Sequence, residues 1–175
     1  MSAFNLKHQE IIPGDFEAFT DRRIYFGTGQ GEATSDYKVK LTKLGGGKYV
    51  REVTTNIGAD SAIMRILPLI GISNIVEAVE DLTLTKDRLE SVVLTPSALF
   101  PYIELKEMIV CYPRGGNIVI DIIITGVVKI NSALRALINP EQLYLNNRVG
   151  KIKLDVAATT PEYAPSNYNQ SNIPQ

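Results

Sequence analysis

Residues 102–130 read YIELKEMIVCYPRGGNIVIDIIITGVVKI, and this stretch carries the strongest structural pattern in the chain. In its first part, 102–112, apolar residues recur at every second position, which is typical of a β-strand with one buried face. The apolar side comprises Ile103, Leu105, Ile109 and Cys111, and the opposite side Glu104, Lys106 and Met108. The sequence PRGGN at 113–117 favours a turn. The stretch therefore predicts a strand, a turn and a second strand.

The second of these strands, 118–130, is apolar on nearly both sides. One side comprises Ile118, Ile120, Ile122, Ile124, Val128 and Ile130, and the mixed side Val119, Asp121, Ile123, Thr125, Val127 and Lys129. An extended run of this length would span about 43 Å, so Gly126 predicts a bulge or a bend. A strand with two apolar faces lies either inside a sandwich or against a neighbouring subunit.

Further elements follow on both sides of this stretch. Residues 37–54 alternate around Gly45, Gly46 and Gly47, which predicts a hairpin. The other predicted strands are 22–26, part of 83–94, and 149–156 with Ile152, Leu154 and Val156 inward. The predicted helices are 60–67, a second that begins after Ser73 with Ile75, Val76, Val79 and Leu82 on one face, and 133–138, capped by Asn131 and Ser132.

These elements predict a mainly β fold, a β-sandwich or barrel with about eight strands and two or three short helices. An α+β fold is the alternative. Residues 1–158 are expected to form this single β-rich domain. Residues 159–175 are polar and aperiodic, which predicts a flexible C-terminal arm.

Composition excludes several classes of protein. The 175 residues carry a net charge of -1 and are 45% hydrophobic, which excludes a wholly disordered chain and a broad positive coat for nucleic acid. One cysteine cannot form an internal disulfide, and it fits a reducing compartment. The N-terminus lacks the pattern of a signal peptide, and the longest apolar stretch, 62–79, contains Arg65 and Pro68, so no membrane partner is expected.

Residue types that carry chemistry are scarce. His8 and Cys111 are the only histidine and the only cysteine, so a zinc site within one chain is not expected, and each is interpreted as a structural residue. The run Gly27-x-Gly29-x-Gly31 lacks the small residue and the helix of a dinucleotide fingerprint, which favours a surface loop. We expect no cofactor, no metal, no catalytic residue and therefore no enzymatic activity.

The first functional hypothesis is a non-enzymatic structural subunit of a multi-copy assembly, a phage tail, neck or capsid-associated protein in a virion or in the host cytoplasm before assembly. It rests on the strand with two apolar faces, on the hairpin 37–54, which carries several lysines, and on the C-terminal arm. The expected partners are further copies of the chain and other assembly proteins, with a weak nucleic-acid contact through the hairpin. The predicted interface residues are Lys38, Lys40, Gly45, Gly46, Gly47, Lys48, Tyr163 and Tyr168.

The alternative hypothesis is a small-molecule-binding or enzymatic β-barrel, because a strand-rich chain of this size can close around a ligand. Tyr102, Tyr112 and Arg114 are its candidate polar cluster. A deep pocket with convergent polar groups favours this alternative, whereas an interior filled by Ile and Val side chains excludes it.

Overall fold

The structure is a computed structural model, and it describes residues 1–28, 37–56, 75–95 and 102–159. The helices and strands of these ranges, in chain order, are β1 (Ser2–Pro13), α1 (Phe16–Tyr25), β2 (Tyr37–Gly45), β3 (Lys48–Asn56), β4 (Ile75–Thr85), β5 (Arg88–Leu94), β6 (Ile103–Arg114), β7 (Asn117–Val128), α2 (Ser132–Ile138) and α3 (Pro140–Ala157). The strands form one seven-stranded antiparallel sheet in the order β1-β7-β6-β5-β4-β3-β2. The predicted mainly β fold with short helices is confirmed, and the structure is best described as α+β, the alternative given above.

The sheet curves around α3. Lys151 of α3 lies over the ring of Tyr37 on edge strand β2, and Lys153, two residues along, pairs with Glu10 on the opposite edge strand β1. One helix can reach both edges of a seven-stranded sheet only if the sheet is strongly twisted and coiled. We call the sheet face that packs against α3 the inner face.

The core lies between this inner face and the two longer helices. The isoleucines at even positions of β7 are fully buried there, as their alternation predicts. The helices contribute Phe19, Ile24, Leu145, Ile152 and Val156. Most of the apolar surface of β7 is therefore covered by helices of the same chain.

Two predicted strands are helices. Residues 22–26 fall largely in α1, which Asp15 caps by accepting a hydrogen bond from the Ala18 amide at 2.7 Å. Residues 149–156 belong to α3, where Ile152 and Val156 are buried at a spacing of four while Leu154 is 70% exposed. A short run with apolar residues at alternate positions also satisfies part of a helical pattern, and here tertiary packing selects the helix.

Three other predictions meet different outcomes. The prediction of a helix after Ser73 is wrong over the described residues, because residues 75–85 form β4. No register shift occurs at Gly126, so a bulge there is wrong. The missing side chain instead permits close pairing, since a Cβ would lie 2.1 Å from the Glu104 carbonyl oxygen. The predicted helix 60–67 and the arm beyond Thr159 lie outside the described residues.

Candidate ligand-binding groove

A row of polar residues crosses the apolar inner face. Strand pairing places Arg51 of β3 beside Glu80 of β4, Glu80 beside Val93 of β5, and Val93 beside Glu107 of β6. Adjacent strands lie about 4.8 Å apart, so the two glutamates stand about 10 Å from one another along the row. Two carboxylates on a buried apolar surface need partners, because burial of an unpaired charge is very costly.

Glu80 finds its partners on three elements, α1, β3 and β5, and forms what we call the Glu80 cluster, with Arg23, Arg51 and Ser91. Its Oε1 accepts hydrogen bonds from Nη2 of Arg23 in α1 and from Oγ of Ser91, and its Oε2 accepts one from Nη1 of Arg51 at 3.0 Å. Burial alone would raise the pKa of Glu80, but the Arg23 and Arg51 guanidiniums outweigh it and lower this pKa to about 2. The cluster attaches α1 to the sheet.

Glu107 is paired by α3 and forms the Glu107 cluster with Arg148 and Tyr144. Nε of Arg148 donates to Oε2 of Glu107 at 2.8 Å, and Nη2 donates to the Tyr144 hydroxyl at 3.3 Å. The Glu107 side chain is 0% exposed, whereas 20% of the Arg148 side chain is exposed. Arg148 therefore covers Glu107 while part of its own side chain remains accessible.

Helix α3 leaves part of the inner face uncovered. Its backbone approaches β1, β7 and α1 most closely. Toward β2 and β6 the distance is bridged by the long side chains of Lys151, whose Nζ lies 5.9 Å from the Tyr37 ring centroid, and of Arg148. The inner-face side chains of β2 to β4 in this region are half-buried, and they are Tyr37, Val39, Leu41, Val53 and Ala78. We call the space between these residues and Tyr144, Arg148 and Lys151 of α3 the groove. The end of α1, at Phe26 and Gly27, lies against Tyr37 and Val39.

The two residues singled out for chemistry occupy structural positions. Cys111 is buried on the inner face, and its burial raises the thiol pKa to about 12, so the thiolate is scarce at neutral pH. His8 lies on β1, where its Nε2 is 2.8 Å from Oε1 of Glu10, and the same oxygen is 3.1 Å from Nζ of Lys153. Of the three glycines in the loop 27–31, only Gly27 is described, at the end of α1 with φ +83°.

The predicted interface residues that the structure describes lie away from the groove. Lys38 and Lys40 are exposed on the outer face of β2, and Lys40 pairs with Glu52 at 2.8 Å. Gly45, Gly46 and Gly47 form the turn between β2 and β3 with positive φ angles, and Lys48 begins β3. Tyr163 and Tyr168 lie outside the described residues. The assignment of these residues to an interface stays a prediction.

The polar cluster proposed from Tyr102, Tyr112 and Arg114 is not assembled. Tyr102 precedes the first residue of β6, whereas Tyr112 and Arg114 lie at its other end, about 30 Å away along an extended strand. The residues that do converge were not recognised from the sequence. They are Arg23, Arg51, Glu80, Glu107, Tyr144 and Arg148.

No protein-family model and no curated protein matches this sequence. Solved structures are similar in fold over nine-tenths of the chain. Ginseng major latex-like protein 151 from Panax ginseng aligns with a TM-score of 0.55 and 15% identity over 91% of this chain and 99% of its own. The ZhuI aromatase/cyclase from Streptomyces sp. R1128 aligns with a TM-score of 0.53 and 9% identity over 90% and 94%. Truncated norcoclaurine synthase from Thalictrum flavum aligns with a TM-score of 0.53 and 11% identity over 90% and 92%.

These similarities show the Bet v 1-like fold. The expectation of a virion subunit of a phage tail, neck or capsid is wrong, because the solved structures of this fold include a latex-like protein, an aromatase/cyclase and a synthase. The physical reason is that α3 of the same chain covers the apolar inner face of β7, so copies of the chain are not needed to bury it. The findings favour the small-molecule-binding or enzymatic alternative. Among the described helices, none combines the length and the apolar character needed to span a membrane.

Proposed function

We propose that the protein binds an apolar small molecule in the groove and does not transform it. One observation carries this proposal: half-buried apolar side chains of β2 to β4 face a half-buried arginine that is fixed on a fully buried glutamate. Pockets for small molecules typically combine a mostly apolar lining with a few fixed polar groups. The similarity of the fold to an aromatase/cyclase and a synthase supports a small-molecule ligand.

Apolar contact supplies the larger part of the expected affinity. A ligand that buries roughly 250 Å² of its apolar surface gains about 6 kcal/mol from removal of that surface from water. Part of this gain offsets the loss of translational and rotational freedom on binding. Because less than about 6 kcal/mol then remains, we expect apolar contact alone to give dissociation constants no tighter than about 40 μM.

Binding without catalysis is supported by the fixed protonation of the buried groups. Glu80, with a pKa of about 2, stays ionised at neutral pH, and Cys111, with a pKa of about 12, stays protonated. Burial raises the pKa of the Tyr144 hydroxyl as well. General acid–base catalysis works best with a group whose pKa lies near the working pH, and these three groups do not meet that condition.

Two adjacent residues of β4 provide a matched test. Ala78 faces the groove, whereas Val79 is 53% exposed on the outer face. We expect the neutral dye N-phenyl-1-naphthylamine to bind the wild type saturably with one site per chain. Ala78→Trp should weaken its binding at least about tenfold by filling the groove, and Val79→Trp should leave the affinity unchanged.

Circular dichroism and urea unfolding establish that both variants fold. Absence of saturable dye binding to the wild type, or equal losses in the two variants, would refute the groove as the binding site. The non-enzymatic part is tested by native mass spectrometry of the protein as purified from cells. A co-purified ligand should keep its mass during prolonged incubation, and conversion of that ligand by the protein would overturn this part.

A further inference from the structure

We propose that the ligand is an apolar molecule with a single carboxylate, and that Arg148 and Lys151 bind this carboxylate. The inference rests on the proposed function, since it assigns the chemical class of the ligand in the same groove. It is carried by two cations of α3 that retain unused donors, and by an imbalance of charge on the inner face.

Both cations lie at the groove and have capacity to donate. Nε and Nη2 of Arg148 are engaged by Glu107 and Tyr144, while no described residue accepts a hydrogen bond from its Nη1. Lys151 follows three residues later on α3, so the two side chains lie on one side of the helix. The described contact of Lys151 Nζ is the face of the Tyr37 ring, and none of the described carboxylates pairs with it.

The Glu80 and Glu107 clusters on the inner face together carry more positive than negative charge. Among the described residues of the Glu80 and Glu107 clusters, three guanidiniums, those of Arg23, Arg51 and Arg148, face two carboxylates, those of Glu80 and Glu107, which leaves a net charge of +1. Lys151 at the rim adds a further positive charge. A single ligand carboxylate would compensate one unit of this excess, whereas a cationic ligand would increase it.

A lowered pKa of Lys151 is consistent with this excess of positive charge. Desolvation by the surrounding protein and, next, repulsion from the Arg148 guanidinium lower the pKa of Lys151, although Asp155 acts in the opposite direction. Arg23 also lowers it and Glu80 raises it, so the groups facing this amine include both signs. An anion between Lys151 and Arg148 would favour the charged form of the lysine.

The negative charge of Glu107 does not oppose the ligand directly. Its side chain is fully buried beneath Arg148, and the ion pair neutralises it. A ligand that enters the groove therefore meets the guanidinium first. Guanidinium and carboxylate form charge-assisted hydrogen bonds, which are shorter and stronger than those between neutral groups.

Three ligands that share a ten-carbon alkyl chain test the head group: decanoate, 1-decanol and methyl decanoate. The affinity for each is measured by displacement of N-phenyl-1-naphthylamine. We expect the wild type to bind decanoate roughly ten- to a hundredfold more tightly than the other two, as charged hydrogen bonds would give. Lys151→Met should reduce this preference several-fold without changing the affinity for 1-decanol. Lys153→Met is the control, because that lysine pairs with Glu10 instead, and it should keep the full preference.

Removal of Arg148 alone would leave Glu107 buried and unpaired, so the double variant Glu107→Gln/Arg148→Met replaces the pair with neutral groups. It should bind all three ligands within about threefold of one another. Equal affinity of the wild type for the three ligands, or full preference for decanoate in Lys151→Met and in the double variant, would overturn the carboxylate inference while dye binding still supports the groove. Failure of the dye to bind would instead overturn the proposed function.

Discussion

Replacement of Glu80 by glutamine tests the electrostatic account of the inner face. The pKa of Glu80 falls from its ordinary value of 4.5 to about 2 in the folded protein. A shift of this size means that ionised Glu80 contributes about 3 kcal/mol to the free energy of unfolding at pH 7. An independent expectation agrees, because breaking a buried ion pair from one side costs about 3–5 kcal/mol. We therefore expect Glu80→Gln to lose about 3 kcal/mol at pH 7.

The pH dependence separates charge from packing. Because the folded pKa is lower than the unfolded one, the contribution is complete above pH 4.5 and is lost as the pH falls toward 2. At pH 3 about 1 kcal/mol of it remains. The stability difference between the wild type and Glu80→Gln should thus shrink by about 2 kcal/mol between pH 7 and pH 3.

Urea unfolding at the two pH values, followed by circular dichroism, measures this difference. Glu77→Gln is the matched control, since Glu77 is exposed on the same strand, and it should change stability little at either pH. If Glu80→Gln loses the same free energy at pH 7 and at pH 3, the loss comes from hydrogen bonding or packing, and the assignment of a strongly stabilised carboxylate is wrong.

Three further outcomes are expected. Gly47→Ala should destabilise the protein more than Gly46→Ala does, by about 1–3 kcal/mol in urea unfolding. A Cβ at Gly47 would lie 2.1 Å from the carbonyl oxygen of Leu84, whereas Gly46 borders open space, and equal losses of stability would contradict this reasoning. Cys111 should react with iodoacetamide at pH 8 at least about a hundredfold more slowly in the folded protein than in urea. Mass spectrometry measures the labelling, and rapid labelling of the folded state would refute the burial of Cys111. Asn139 has a φ of 41° between α2 and α3, so Asn139→Gly should be tolerated, whereas Asn139→Ala should lower the stability by about 1–2 kcal/mol in thermal unfolding. An Ala variant as stable as the wild type would contradict the strained backbone and the capping role of this residue.

The strands were predictable from the sequence where alternation was long. The isoleucines of β7 and the hairpin of β2 and β3 follow the period of two over many residues, so a competing helical pattern cannot account for them. Residues 149–156 were not predictable in this way. Their alternation is short, and the choice of α3 depends on burial of Ile152 and Val156 against a sheet that the local sequence does not encode.

The site was only partly accessible to sequence analysis. Glu107 occupies an odd position among Ile103, Leu105, Ile109 and Cys111, so the alternation that predicted β6 also placed a carboxylate on the buried face. That signal indicated a buried charge and hence a required partner. The partner, Arg148, lies 41 residues away on a helix of which residues 149–156 were predicted as a strand, and no local pattern could identify it.

The Arg148–Glu107 pair bears on why the groove exists at all. Apolar residues of similar volume in place of a buried ion pair often preserve or increase stability, so stability alone is a weak reason to keep the pair. An arginine has a longer side chain than the aliphatic residues of the core, and here it spans the distance between α3 and β6. Shorter apolar residues at both positions would favour a closer approach of helix and sheet, because packed interiors leave few voids. The same ion pair can therefore hold the groove open and present a cation to whatever enters it.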